Sequence, residues 1–167
     1  AIRAGSVVAN AYPSGTVSVL NFNTNCAVID DTGRTWVPTS LSYSNSNYKF
    51  GGGSALFNGN SWIYSNNDTA FSPGSENFTI AGWVYFSSNP SGWAPVWGNW
   101  WTNQGGTSLD FYGGKPRIVY DTSGTTKVIS GTRALPLNTW AYIVLQGKNT
   151  GGSSDVTLYV NGVPNGT

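Results

Sequence analysis

The most regular hydrophobic pattern in the chain lies in Asn77–Phe86, which reads NFTIAGWVYF. Its side chains fall into two alternating sets: Phe78, Ile80, Gly82, Val84 and Phe86, and Thr79, Ala81, Trp83 and Tyr85. A period of two in a run rich in β-branched and aromatic residues predicts a β-strand. Because both sets are apolar enough to be covered, the pattern predicts a strand in the middle of a sheet.

Shorter runs of the same kind, separated by turn residues, follow along the chain. Further strands are predicted at Val17–Phe22, Arg34–Val37, Ser54–Phe57, Ser61–Tyr64, Ala94–Trp101, Ser108–Tyr112, Lys115–Tyr120, Thr126–Ser130, Trp140–Lys148 and Asp155–Val160. Loops are predicted at Asn23–Gly33, Thr39–Lys49 and Asn66–Glu76. Tight turns are predicted at Asn58-Gly59-Asn60, Gly113-Gly114 and Asn161-Gly162, since these residues tolerate positive φ. No helical period appears, so the sequence predicts an all-β, two-sheet antiparallel sandwich.

The length and charge of the chain limit its organisation and its partners. Its 167 residues predict one domain, here residues 17–167, preceded by a small, polar arm or linker at residues 1–16. Only 9% of the residues are charged and the net charge is +1 without a basic run, which argues against nucleic acid and anionic membrane as partners. No apolar stretch reaches the length of a transmembrane helix, and no signal peptide opens the sequence.

The absence of histidine removes several kinds of chemistry. The chain has no His and a single cysteine, Cys26. Ser-His-Asp and Cys-His triads, His-ligated metals and a disulfide framework within the chain are therefore excluded.

Four segments together resemble the laminin-G-like, concanavalin A-like lectin and glucanase superfamily. They are KFGGGSALFNGN at Lys49–Asn60, ENFTIAGWVYF at Glu76–Phe86, LPLNTWAYIVL at Leu135–Leu145 and DVTLYVNGVP at Asp155–Pro164. The resemblance lies in their order and spacing and covers roughly residue 17 to the end. It implies a jelly-roll sandwich with one concave sheet. Members of the superfamily include lectins, secreted recognition modules, glucanases and tailed-phage virion proteins, so the fold alone leaves the function open.

The glucanases of this superfamily carry paired acids two residues apart on one strand, because glycoside hydrolysis needs two carboxyl groups about 5–9 Å apart. The chain has one glutamate, Glu76, and neither a Glu-x-Asp-x-x-Glu nor an Asp-x-Glu motif. Asp110 has no acid two residues away, and the adjacent Asp30 and Asp31 point in different directions. We therefore predict no catalytic residues and no enzyme activity.

Aromatic and amide side chains crowd into Trp93–Gln104, a combination that suits sugars. Their apolar faces stack on aromatic rings, and amides satisfy their hydroxyl groups. The predicted ligand-binding residues are Trp93, Trp97, Trp100, Trp101, Asn103 and Gln104. The alternative for these tryptophans is a role as core filler. Trp83 and Tyr85 share a strand face that would also serve as the floor of a groove, with burial as the alternative.

No cofactor is predicted, and calcium stays open as an alternative. Loop aspartates suit calcium, which takes several oxygen ligands, and four candidates lie in predicted loops: Asp30, Asp31, Asp68 and Asp121. An Asp before Thr-Gly is also a common turn former through its side-chain oxygen. Asn-x-Ser/Thr sequons occur at Asn67, Asn77 and Asn165 and matter only in a secreted eukaryotic protein.

After the turn at Asn161-Gly162 only Val163–Thr167 remain, and the superfamily normally continues with a closing strand. Either the chain is truncated, or the strand comes from residues 1–16 or from a neighbouring subunit through an open sheet edge. We therefore expect a non-catalytic surface module on a phage virion, as a capsid decoration or tail-fibre component. Its expected partners are a glycan or cell-surface polysaccharide and neighbouring virion subunits or further copies of itself. The alternative is a lectin-like module of a secreted bacterial protein or adhesin. The expected location is the virion surface or the extracellular space.

Overall fold

The computed structural model describes residues 12–22, 28–66, 69–71, 76–98, 106–122, 125–149 and 154–166. In these residues the secondary structure consists of β-strands and one 3-10 turn at Thr69–Phe71. None of the described segments forms a helix with the length and apolar character that crossing a membrane requires. The chain divides into two compact units, Ala1–Phe71 and Ser72–Thr167.

The first unit is built from short, paired strands. They are β1 (Leu20–Asn21), β2 (Ile29–Asp30), β3 (Val37–Thr39), β4 (Ser42–Ser44), β5 (Ser54–Leu56) and β6 (Trp62–Tyr64). All pairs are antiparallel: β1 with β2, β3 with β6 and β4 with β5.

Several strand and loop predictions for the first unit were wrong in detail. Strands β2 and β4 lie in segments predicted as loops, and β5 pairs with β4 rather than with β6 across the Asn58-Gly59-Asn60 turn. Gly51 and Gly52 both have positive φ, which turns the chain back and brings β5 beside β4. The strand predicted at Arg34–Val37 is instead β3 at Val37–Thr39, which contains Pro38. Strand β3 pairs with a single neighbour among the described strands, an arrangement that tolerates a missing N–H.

The second unit contains two four-stranded antiparallel sheets. Its strands are β7 (Phe78–Tyr85), β8 (Trp93–Gly98), β9 (Thr107–Tyr112), β10 (Lys115–Thr122), β11 (Thr125–Ser130), β12 (Trp140–Asn149), β13 (Ser154–Val160) and β14 (Val163–Gly166). The β9 sheet has the order β11-β10-β9-β8, and the β12 sheet has the order β14-β13-β12-β7.

The hydrophobic core of the second unit lies between these two sheets. The β9 sheet contributes Leu109, Phe111 and Ile118, and the strands of the β12 sheet contribute five buried residues. These five are Ala141, Ile143, Leu145, Val156 and Leu158. The predicted all-β, two-sheet antiparallel sandwich is therefore confirmed.

Strand β7 keeps the predicted alternation but not the predicted position. Phe78, Ile80 and Val84 pack against the core, as one of the two sets was expected to do. In the described part of the chain, however, β7 is an outer strand of its sheet and pairs with β12 alone. Its second face is apolar because aromatic side chains of β12 lie against it, not because β7 has strands on both sides.

Two of the predicted hairpin turns are confirmed. Gly113 and Gly114 join β9 to β10, and Asn161 and Gly162 join β13 to β14; all four residues have positive φ. A two-residue loop between twisted strands needs this conformation at both positions.

The last described strand, β14, is tied to the chain beyond β11 through one buried side chain. The Asn165 amide oxygen accepts hydrogen bonds from the Arg133 N–H at 2.9 Å and the Thr132 hydroxyl at 3.2 Å. Its Nδ2 donates to the Arg133 carbonyl at 3.0 Å, so the sequon nitrogen is occupied within the fold. The domain boundary at residue 16 and the further closing strand remain predictions.

Candidate functional site

The two most exposed aromatic side chains among the described residues of the second unit lie beside each other on one sheet. Trp93 of β8 is 60% exposed and Tyr112 of β9 is 59% exposed. They are direct register partners, and both point away from the core face of the β9 sheet. A pair of exposed aromatic rings at such a position is a surface for stacking rather than core filler.

Trp93 is held in place by an acid that lies beneath it. The indole Nε1–H donates a hydrogen bond of 2.8 Å to Oδ2 of Asp110, whose side chain is fully buried. Ser108 adds a long contact of 3.4 Å from its hydroxyl to the same oxygen. Because both rotatable bonds of the Trp93 side chain are constrained by this bond, the exposed ring has a fixed orientation.

The other oxygen of Asp110 holds an arginine. Arg117 Nε lies 2.8 Å from Oδ1, and the guanidinium group stacks over the Tyr112 ring at 5.0 Å from its centroid. The resulting cluster of Trp93, Asp110, Tyr112 and Arg117 presents two aromatic faces and a cation around a buried carboxylate. Lys115 lies on the same strand face as Arg117 and is exposed.

Two further residues on the same sheet face are buried. They are Ser108 and Val119, which are register partners of each other.

Trp97, predicted as a contact residue, packs against the core. A register shift between Pro95 and Trp97 inserts Val96 as an extra residue in β8. This bulge places Ala94 and Trp97, three residues apart, on the core side of the strand. Trp97 therefore takes the core position that was the alternative to a ligand contact.

The other four predicted ligand-binding residues fall outside the part of the chain that the structure describes. They are Trp100, Trp101, Asn103 and Gln104. Of the six, Trp93 is thus the one that the structure places on an open surface, and the roles of these four remain predictions.

Comparison with known families agrees with this architecture. The laminin G family model, described as the concanavalin A-like lectin/glucanases superfamily, matches residues 57–167. The match spans both sheets of the second unit and the whole Trp93 cluster. The chain belongs to the concanavalin A-like lectin/glucanases superfamily. A search of curated proteins finds no match.

Membership of the superfamily supports a general function. Laminin G-like domains are usually non-catalytic binding modules, and concanavalin A-like domains commonly bind carbohydrates. Its family therefore supports a carbohydrate-binding or recognition module.

The sequence analysis of this laminin G-like domain did not predict most of the Trp93 cluster, although the hairpin dipeptide beside it was recognised. Gly113-Gly114 predicts a two-residue hairpin, and counting outward from it pairs Tyr112 with Lys115 and Asp110 with Arg117. The second pair has opposite charges and lies on one face. Trp93 donates a hydrogen bond to Asp110 of this pair. Its position beside the pair depends on the register between β8 and β9, which no local motif predicts.

Asp30 was a candidate calcium ligand in the first unit, and the structure gives it a different role. Oδ1 accepts from the Thr32 N–H at 2.8 Å and the Thr32 hydroxyl at 2.6 Å, and more weakly from the Val19 N–H at 3.3 Å. Oδ2 accepts from the Ser18 hydroxyl at 2.5 Å and the Trp36 indole at 2.8 Å. These donors occupy the carboxylate, and the bond to Thr32 is the turn-forming bond that was weighed as the alternative.

The other calcium candidates give no metal cluster in the described residues. Asp31 accepts a hydrogen bond from the Tyr12 hydroxyl at 2.6 Å. Asp68 and the side chain of Asp121 lie outside the described residues. Within those residues, no group of three His, Cys, Asp or Glu side chains converges as metal ligands would.

The hydrogen bonds to Asp30 predict a stability change with acid. Burial raises the pKa of Asp30, but donors from Ser18, Thr32 and Trp36 outweigh it and hold the pKa well below its usual range. A pKa that is lower in the folded than in the unfolded chain contributes stability above the unfolded value of about 3.9. This contribution is lost as the pH falls below that value toward the folded pKa. We expect urea unfolding, followed by circular dichroism, to show decreasing stability between about pH 5 and pH 2.

The matched variants for this prediction are Asp30→Asn and Asp31→Asn. Asp30→Asn should lower the stability at pH 7 and flatten its decline in acid, because the ionising group is gone. Asp31→Asn, which alters the adjacent carboxylate, should retain the decline. An equal acid dependence in wild type and Asp30→Asn would contradict the assignment.

Proposed function

We propose that this chain is a non-catalytic carbohydrate-recognition module whose ligand stacks on Trp93 and Tyr112. The observation that carries the proposal is the exposed Trp93 ring held at 2.8 Å by the buried carboxylate of Asp110. A ring that is both exposed and oriented is prepared for a ligand, since little side-chain freedom is lost when the ligand binds.

The chemistry around the two rings matches the two sides of a sugar. The C–H faces of a sugar ring are apolar and stack on aromatic planes, and its hydroxyl groups need donors and acceptors. Trp93 and Tyr112 provide the planes. The Arg117 guanidinium, with its Nε bound to Asp110, and the exposed Lys115 provide donors at the edge of the same surface.

The same cluster supports a role without catalysis. Asp110 is the acid in this site, and it is fully buried and bonded to Trp93 and Arg117. A general acid or nucleophile must reach the scissile bond, and glycoside hydrolysis needs a second carboxyl group nearby. Asp110 is instead a positioning residue for the exposed ring.

Glycan-array binding of the purified chain tests the proposal, and Trp93→Ala is expected to weaken the binding. A central aromatic contact contributes about 2 kcal/mol, so the loss should be roughly 30-fold in affinity. The matched control is Trp62→Ala, which removes a tryptophan that is also exposed but lies in β6 of the first unit. Arms with calcium and with chelator show whether binding needs a metal.

Two outcomes of this experiment contradict the proposal. One is the absence of binding to any glycan by the folded chain. The other is an equal loss in Trp93→Ala and Trp62→Ala, since that would place the contact elsewhere or show a general effect on folding.

The biological location of this module is also a proposal. A place on a phage virion, next to neighbouring subunits, rests on the resemblance and on the low charge of the chain. A secreted lectin-like module would use the same site. A symmetric oligomer in light scattering would favour the virion, and a monomer retained on polysaccharide would favour the free lectin.

A further inference from the structure

A second aromatic surface lies on the opposite side of the sandwich, and we propose that it binds a linear, uncharged polysaccharide. It is formed by the outward side chains of Trp83 and Tyr85 on β7 and of Trp140 and Tyr142 on β12, which we call the aromatic face. The core of the second unit lies between this face and the Trp93 cluster, because each is on the outer side of its own sheet. A ligand on one surface therefore leaves the other accessible.

The rings of the aromatic face are arranged as two cross-strand pairs. Trp83 and Tyr142 lie with ring centroids 5.1 Å apart, and Tyr85 and Trp140 lie 5.6 Å apart. The Tyr85 hydroxyl also contacts the Asn138 amide oxygen at 3.4 Å. Each ring is supported by its partner, and Trp83 keeps 38% of its surface exposed. The face is thus a preformed platform and not a set of mobile side chains.

The platform continues along the two strands into polar groups. After the Ala81–Val144 pair, the next outward pair is Thr79 and Gln146. These two residues also line an open cleft of about 280 Å³ together with Asn77, Phe78, Gly147 and Lys148. The outward side chains of both strands thus form a path from the Tyr85–Trp140 pair to the Thr79–Gln146 pair, which covers six residue steps, or roughly 20 Å at about 3.3 Å per residue. Stacking planes at one end and amides and hydroxyls at the other suit a chain of sugar rings lying along the strands.

Charge distinguishes this path from the Trp93 cluster. The eight register pairs between β7 and β12 contain no charged residue. Lys148, at the end of the path, has the oppositely charged Asp155 as its register partner on β13. A neutral polymer of hydroxyl groups meets no unpaired charge on such a surface, whereas a polyanion would gain little from it.

The dimensions favour a polysaccharide over a protein partner. The two strands that carry the path, at about 4.8 Å spacing, give a strip about 10 Å wide, so the path offers roughly 200 Å². A stable protein interface buries about 800 Å² on each partner. The face is long enough for a polymer chain and too narrow for such an interface.

Affinity electrophoresis in gels that contain hydroxyethylcellulose, amylose or galactomannan tests this inference. We expect at least one of these neutral polymers to retard the wild-type chain and polygalacturonate not to do so. Trp83→Ala should weaken the retardation at least tenfold, and Gln146→Ala should weaken it about threefold. Trp93→Ala and Trp62→Ala should migrate like the wild type, because neither residue lies on this face.

The variants keep the test independent of folding and of the proposed function. Gln146 is exposed, so its truncation tests the path if Trp83→Ala unfolds, which thermal denaturation would show. Retardation that is lost in Trp93→Ala but kept in Trp83→Ala and Gln146→Ala would contradict binding on the aromatic face. It would show that the polymer binds at the Trp93 cluster. Absence of retardation by all three neutral polymers would contradict binding on the aromatic face as well, whatever the glycan array shows for Trp93.

Discussion

Replacement of Asp110 by alanine is expected to lower the free energy of unfolding by about 3 kcal/mol, because it breaks an ion pair whose carboxylate is buried. The carboxylate accepts from Trp93 at 2.8 Å and from Arg117 at 2.8 Å, and it has no exposed surface. Its removal leaves the Arg117 cation and the Trp93 N–H without their acceptor. Urea unfolding at pH 7 measures the effect.

The same substitution should also weaken glycan binding in chains that remain folded. Trp93 and Arg117 would lose the bonds that orient them, so the ligand would have to order both side chains. The control is Asp155→Ala, which removes an exposed carboxylate of β13 and should change stability by no more than about 0.5 kcal/mol. Equal urea midpoints for Asp110→Ala and Asp155→Ala would contradict a supporting role for Asp110.

Replacement of Asn165 by alanine should also cost about 3 kcal/mol of stability, for a different reason. The side chain is part of a residue that is 2% exposed, and it makes three hydrogen bonds to Thr132 and Arg133. Truncation leaves the Arg133 N–H and carbonyl without this partner, at about 1–3 kcal/mol for each unsatisfied group that stays buried. Chemical denaturation of the variant measures the loss.

An exposed asparagine provides the comparison for Asn165. Asn60 lies in the turn between β5 and β6, and Asn60→Ala should leave the stability within about 0.5 kcal/mol of wild type. If Asn165→Ala is as stable as Asn60→Ala, then the Asn165 side chain does not hold β14, and the β13–β14 pairing is enough to hold it.

The sequence predicts the second unit better than the first because its signals there are local. The alternation in β7 and the turns at Gly113-Gly114 and Asn161-Gly162 depend only on neighbouring residues and their φ preferences. In the first unit the strands are only two or three residues long. Their pairing depends on partners far along the chain, which a reading of periodicity does not detect.

The candidate site was predicted only at Trp93, and the reasons are physical. The bulge at Val96 places Trp97 on the core side of β8, which an unbroken period of two does not predict. The aromatic face requires the register between β7 and β12, which are about sixty residues apart, so Trp83 and Tyr142 cannot be matched from the sequence alone. Tertiary pairing decides which of the aromatic side chains remain exposed.

A glycan that stacks on the Trp93 ring should shift the indole N–H signal of this residue, which a ¹H–¹⁵N NMR spectrum of the chain records. The eight tryptophans provide eight such signals, and a Trp93→Phe spectrum assigns the one from Trp93. On titration with a glycan selected by the array, we expect a saturable shift of the Trp93 signal and an unchanged Trp62 signal. Saturable binding that leaves the Trp93 signal in place would contradict it.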